Sequence, residues 1–503
     1  MAPAAKSSGG MPFIVSTSTK KPDPELRKLI RSHVMMGKNR GKILRPNYRK
    51  AGESSSPEES HDSRSRARSS LEKEAYDDDE LITLTPVVVP RRVGGDLSFI
   101  RFADTIEDSS VAVILEFSSI AKKALFPLES CISFAIREKT GWMEALTLDA
   151  AYLHALAFST RAYFDLMQGY TPRKGSASAY PHMLKTLRLL RERLDMPEHD
   201  AAVKSSFSTA AVVLCLAFHA HITGEHETAR HHLLGLRKIV DLKGGLIGLR
   251  NVKIVIELLR CDMGMALHNG TKPIFFADTI REPYWPYPDF SQYGIAPEPK
   301  DESFLAILDA ELALAWRTMK QFCTLVNRAA AARRKLSEQN LLDPMASVMY
   351  RLLHMRFARS SLSEVVRLGL LAFCSSVFLQ WSSVRLPYTH FPGVYRDNLV
   401  NLEFPLPDAN TYDSSSLDNN VSTPRLLIWL LTVGAVSLFS AADNEAWLKP
   451  WLRVNLELCG VDSWPAMRAV LDSFMWVGVV QDAPGKALFD STMSSSLCLE
   501  SVQ

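Results

Sequence analysis

The chain has 503 residues, 47% apolar and 22% charged, which supplies a sizeable core and leaves room for two or three average domains or one large helical body. The formal net charge of +3 hides an uneven distribution: residues 20–50 hold eleven Lys or Arg against Asp23 and Glu25, whereas 72–80 hold six acids against Lys73. The seven cysteines are scattered with no C-x-x-C pair, as in a reducing compartment, and the start of the chain lacks the apolar run of a signal peptide. The longest apolar stretches, near 368–373 and 426–439, fall short of the about 18 residues that span a bilayer and are expected to be buried helices, with no membrane partner.

Residues 1–22 and 51–80 carry too little apolar surface to repay the entropy of ordering, and the arm 1–95 is expected to be largely disordered. Within it one short helix is predicted over 23–37, with Asp23 as N-cap, Pro24 at the first helical position, Glu25 in the first turn and Gly37 as the stop. Leu26, Leu29, Ile30 and Val34 share a face. Around them Lys20, Lys21, Arg27, Lys28, Arg31, Lys38, Arg40, Lys42 and Arg45 concentrate positive charge on one segment, which points to a nuclear import receptor or the phosphates of a nucleic acid. Such a helix, with few side chains suited to base edges, would bind DNA weakly and with little sequence discrimination. The acidic run Asp77, Asp78, Asp79 and Glu80 is expected to be solvated, since it has almost no interleaved aromatic residues.

From about Asp96 the pattern turns helical, with apolar residues recurring at three and four. Helices are predicted over 111–126, 146–167, 180–194, 201–222, 228–242, 251–268, 305–326, 344–357, 361–381, 424–439 and 464–480. Strand-like alternation is scarce. Two breaks, 281–300 and 386–422, are proline-rich or rich in Asn, Asp and Ser and are expected to be surface loops or lids. The predicted fold is therefore all-α: a multi-helix body over 96–493, preceded by the basic arm and followed by a tail over 494–503.

Five of the thirteen histidines fall within fourteen residues, His219, His221, His226, His231 and His232. A zinc-protease helix needs His at i and i+4, but His226 and His231 are five apart and lie about 140° round the helix from one another. They are expected to line a helix–turn–helix corner rather than to hold metal. Gly244, Gly245 and Gly248 follow a helix and lack the register of a phosphate loop, which predicts a helix C-cap. No G-x-S-x-G elbow or local cysteine-nucleophile signature is present, so no catalytic residue, metal or cofactor is assigned and an enzyme is not expected.

Several segments resemble the fungal-specific transcription factor domain family. The first runs from Gly224-Glu225 through Ala229-Arg230-His231-His232-Leu233-Leu234-Gly235-Leu236 to Ile239-Val240-Asp241-Leu242-Lys243-Gly244-Gly245-Leu246. Arg260-Cys261-Asp262 and Lys272-Pro273-Ile274-Phe275 follow, then the helix from Glu364 to Leu371, the Trp-bearing stretch from Leu427 to Gly434, Trp447-Leu448, and Trp464 through Arg468 to Trp476. A second resemblance, from Phe13 to Ser16 and from Arg27 to Arg40, is to the opening of a group of fungal proteins that carry this domain. The resemblance implies a large helical regulatory domain, a place in the fungal nucleus and control of transcription, plausibly of a metabolic or secondary-metabolite biosynthetic pathway. Many members begin with a binuclear zinc cluster held by six thiolates, but here the first cysteine is Cys131, so residues 1–130 cannot form one.

A co-regulator is expected, acting through contacts of the helical body with other transcriptional regulators or with itself. Three alternatives stay open: the arm as a sequence-specific DNA-binding element, a ligand-binding or enzymatic protein with its pocket under the aromatic loop 284–293, and an upstream segment that carries the zinc cluster.

Overall fold

A computed structural model of the protein describes residues 100–122, 125–134, 141–168, 179–195, 207–249, 252–296, 305–381, 388–402 and 416–494. The predicted helix over 23–37, all nine basic candidates, the acidic run and most of the tail lie outside these residues. What is described is all-α. In chain order the helices are α1 Asp108–Lys122, α2 Gly141–Leu148, α3 Ala150–Met167, α4 Ala179–Asp195, α5 Phe207–Ile222, α6 His226–Leu242, α7 Val252–Asn269 and α8 Ala310–Ala331. They continue with α9 Gln339–His354, α10 Leu362–Cys374, α11 Phe391–Val400, α12 Ser416–Ser437, α13 Lys449–Leu458, α14 Trp464–Phe474 and α15 Gly478–Ser494. The β structure among the described residues is one parallel bridge that pairs Ile132–Ser133 with Leu336–Ser337.

Local chemistry fixes where several helices begin and end. Asp149 accepts from the Tyr152 N–H ahead of α3, Asp309 from the Glu311 and Leu312 N–H groups ahead of α8, and Ser361 from the Glu364 N–H ahead of α10. Helix α6 ends as the glycines predict. Gly244 N–H returns to Asp241 O and Gly245 N–H to Val240 O, both glycines at positive φ, the paired closure in which a left-handed residue costs least when it has no Cβ.

Several predicted boundaries need correction: the helix expected over 464–480 ends at Phe474, and α15 runs on from Gly478 to Ser494. The break over 386–422 contains α11, and 441–458, left without a helix in the sequence reading, holds a short capped turn at Ala441–Asp443, a π-turn at Asn444–Leu448 and α13. Proline opens α11, where Pro392 sits in the first turn and its missing N–H breaks no helical bond, whereas Pro450 falls inside the continuous helical run from Ala441 to Leu458, directly after the π-turn. The helix expected over 361–381 runs from Leu362 through a π-turn at Ser375–Leu379, and its apolar stretch is longer than the run at 368–373 that was expected to fall short of a bilayer span. The stretch Leu362–Leu379 is long and apolar enough to cross a membrane by length and composition, but 94% of it is buried inside the protein. Its two charges, Glu364 and Arg367, neutralise each other at 2.5 Å.

Helix α3 packs on α4 and on α5, α5 packs on α6, α1 lies on α3, and α7 lies against α5, α6 and α9. In the C-terminal half α12 is the hub, in contact with α10, α13, α14 and α15. Its Trp429 is fully buried, donates Nε1–H to Met475 O at 2.8 Å and meets Trp316 of α8 at 5.0 Å between ring centroids. One contiguous core runs through both halves.

Asp262, mid-way along α7, closes the loop that follows that helix. Its carboxylate accepts from Ile274 N–H at 2.8 Å, Phe275 N–H at 3.0 Å and the Tyr350 hydroxyl of α9 at 2.9 Å. Burial lifts its pKa to about 6 against the pull of these donors. Asp262→Ala strands three buried donors, each worth about 1–3 kcal/mol, so urea denaturation is expected to show a loss of at least about 3 kcal/mol. Asp262→Asn, which keeps one acceptor oxygen, is expected to lose clearly less.

Candidate functional site

Among the described residues a small aromatic cluster stands apart from the main core. Phe126, Tyr163 and Trp381 form it, with Phe117, Leu125, Phe164, Leu166 and Phe218 packed on it. Between this cluster and the main core lies a cavity of about 430 Å³, within the roughly 300–1,000 Å³ range typical of small-molecule sites. Helix α1 contributes Ile114 and Phe117, α3 contributes Tyr152 and Tyr163, α5 contributes Phe218, and α7 contributes Ile254 and Cys261. Trp381 closes one side, its ring centroid 5.1 Å from Phe218 and 5.2 Å from Tyr163.

Gly264 explains why α7 leaves this space. It lies in mid-helix on an apolar wall, and an added Cβ there would meet no atom within 4 Å. Glycine inside a helix costs about 1 kcal/mol against alanine, so Gly264→Ala is expected to stabilise the fold by about that amount, measured by denaturant titration. Loss of stability would mean that the space is filled by something the helix needs.

The polar groups of the wall are largely engaged with one another. Arg260 donates Nε–H to Phe378 O at 2.8 Å and Nη1–H to Glu129 at 2.7 Å and to Glu257 at 3.0 Å. Lys253 pairs with Glu129 at 2.5 Å and also with Glu257. Arg260 Nη2 is buried with no hydrogen-bond acceptor, and the guanidinium carbon lies over the Phe126 ring, 3.5 Å from its centroid. Lys253 Nζ lies 4.7 Å from the Phe134 centroid. Burial alone would raise the Glu129 carboxyl, yet Arg260 and Lys253 hold it down to about 2. Two cations and two carboxylates thus close one end of the cavity with no net charge.

His221 joins the cavity to a second feature. Its ring packs at 5.3 Å from His268 and 5.9 Å from His226, while His226 and His268 approach to 3.1 Å between their Nε2 atoms. The five clustered histidines of the sequence therefore separate. His219 stacks edge-on against Phe158, His231 is exposed, and only His221 and His226 meet, with His268 arriving from the end of α7. They do line the α5–α6 corner. Among the described residues no group of three or more His, Cys, Asp or Glu is arranged to hold a metal ion. Another pair, His154 and His182, hydrogen-bonds at 2.8 Å between Nδ1 atoms, with Asp104 on the first ring and Glu107 and Ser110 on the second; each ring nitrogen has a partner, so this pair ties the segment before α1 to α3 and α4.

Burial, with His268 and His226 adding repulsion, lowers the His221 pKa to about 4. A folded pKa below the unfolded value near 6.5 makes a contribution to stability that is whole above that value and is lost as pH falls toward 4. Stability is expected to decline between pH 6.5 and 4.5, and His221→Gln is expected to make that decline shallower; an unchanged slope in denaturation curves across the range would contradict the assignment. Cys215 and Cys261 also line the cavity, but burial raises both thiols, Cys215 to about 11, which leaves them protonated and poor nucleophiles.

The aromatic loop 284–293 does not contribute to this cavity. Its rings are engaged elsewhere: Arg351 lies 5.0 Å from the Tyr284 centroid and 4.2 Å from that of Tyr287, and Trp285 donates Nε1–H to Asp343 at 2.8 Å. The cavity residues were not singled out from the sequence. Two signals were present, a lone glycine inside the apolar window of α7 and the almost uniformly apolar α5, whose opposite faces must both be covered.

No protein-family model, curated protein or solved structure matches the chain.

Proposed function

We propose that this chain is a transcriptional regulator of the fungal type its sequence resembles, and that its helical body responds to a small molecule taken up in the cavity beside α7. The observation that carries the ligand response is the cavity itself: an aromatic-walled space of ligand size between the small aromatic cluster and the main core, with its carboxylates paired to Arg260 and Lys253 and its thiols held protonated. Such a space is suited to binding and poorly equipped for covalent chemistry. The regulatory part rests on the ordered resemblance and on the positive charge of residues 20–50. The body acts through protein–protein contacts with other regulators or with a second copy. The arm supplies recognition by an import receptor, a nuclear location and weak, nonspecific contact with DNA.

The chromatin occupancy of the full-length protein tests this reading against that of a chain lacking residues 20–50. A fluorescent fusion of the shortened chain is expected to lose nuclear accumulation, and occupancy is expected to disappear when the partner regulator is absent. Retained nuclear signal without residues 20–50 would remove the arm's role. Occupancy nowhere in the genome, with the intact protein in the nucleus, would remove the regulatory one. The basic segment also supports a second reading, direct DNA recognition; a gel-shift series across salt separates the two, because base readout leaves a sequence preference after phosphate contacts are screened.

A further inference from the structure

We infer that the cavity takes an uncharged, ring-containing molecule that bears hydroxyl or carbonyl oxygens, and that it discriminates against carboxylates of the same size. This inference rests on the proposal that the cavity is a ligand site and deepens it by naming the ligand's chemistry.

Charge is the first constraint. Lys253 and Arg260 are the cations of the wall, and each is already committed to Glu129 and Glu257 and to an aromatic face. An anionic guest would add a charge to a wall whose two cations and two carboxylates already balance, whereas Arg260 Nη2, which has no acceptor, is satisfied by a single carbonyl or hydroxyl oxygen. A cationic guest would face the same two cations. A neutral guest disturbs nothing.

Hydrogen-bonding capacity is the second. Ser118 and Thr160 spend their protons on the carbonyls of Leu115 and Leu156 in their own helices, which leaves oxygen lone pairs toward a donor, while Ser159 is engaged by Ala155 O and the Cys215 thiol. The hydroxyls of Tyr152, Tyr163 and Tyr388 make no hydrogen bond among the described residues, so they are able both to donate and to accept. Burial raises all three phenols, which keeps them in the donor form. A wall of neutral hydroxyls between aromatic rings matches alcohol, phenol or ketone oxygens on a ring framework, whose faces and edges the rings of Phe117, Phe218 and Trp381 are placed to meet.

Two pyrene probes of nearly equal size provide the test, 1-pyrenemethanol and 1-pyrenecarboxylate, titrated at pH 7.5 into the full chain. Binding is read by quenching of tryptophan emission and by the vibronic band ratio of pyrene, which reports an apolar surrounding. The alcohol is expected to bind and raise the melting temperature, and the carboxylate to bind at least tenfold more weakly. Gly264→Leu fills the cavity from its wall and is expected to abolish binding while circular dichroism and melting temperature hold or improve. Gly235→Leu, on α6 away from the cavity and equally free of neighbours within 4 Å, is expected to leave binding unchanged. Tyr163→Phe is expected to weaken the alcohol several-fold without altering pyrene itself. Equal or tighter binding of the carboxylate overturns the inference, as does binding that survives Gly264→Leu or no binding of the alcohol to a folded chain. The regulatory reading is judged separately by chromatin occupancy, so alcohol-selective binding in a protein that never occupies chromatin leaves this inference standing and sinks the other.

Discussion

The architecture depends on Arg260, a guanidinium that α7 carries into the interior. A buried cation left without partners is strongly destabilising, so the chain must deliver acceptors to it from several directions. Glu129 comes from the turn before the short parallel bridge, Glu257 from one helical turn back, and the carbonyl of Phe378 from the π-turn after α10. Those partners lie 131 and 118 residues away at the long-range positions. Two residues on, Asp262 makes the opposite demand and draws in donors from the following loop and from α9. Helix α7 is thus an axis on which adjacent charges of opposite sign gather both halves of the body.

The cavity is a by-product of the same arrangement. Phe126 lies flat on the Arg260 guanidinium and belongs to the small aromatic cluster rather than to the main core, so satisfying the charge holds that cluster away from α7. Gly264, one turn further along, supplies no side chain to close the gap. On the proposed function, a guest in this space touches α1, α3, α5 and α7 together as well as Trp381, and has the means to change how firmly the aromatic cluster is held against the rest of the protein.

Much of the fold was legible in the sequence because apolar periodicity and capping chemistry are local. The segments that resemble the fungal transcription factor family hold several of the ties between elements, among them those of Arg260, Asp262, Ile274, Phe275, Arg367, Trp429 and Trp476. That coincidence is what a pattern built on packing requires. Helices α11, α13 and most of α15 were missed because proline reads as a breaker, whereas Pro392 sits in a first turn, Pro450 directly after a π-turn and Pro484 inside α15. The meeting of His221, His226 and His268 was not legible, since His268 stands 42 residues beyond His226 and only the α5–α6–α7 packing brings them together. The cavity was least legible of all. A void is defined by side chains that are not there, and one glycine in an apolar helix marks it only once the neighbouring helices are in place.

The wall of the cavity draws on residues from Ile114 to Tyr388. During synthesis the aromatic cluster has therefore lost its anchor at Trp381 until most of the body has left the ribosome, and the early helices must wait with Phe117, Tyr163 and Phe218 uncovered. Closing contacts of such sequence separation is slow compared with forming helices, because loop closure precedes any gain from the contact. On the proposed function, a guest that fits the space is able to act on the yield of folded protein as well as on the finished one.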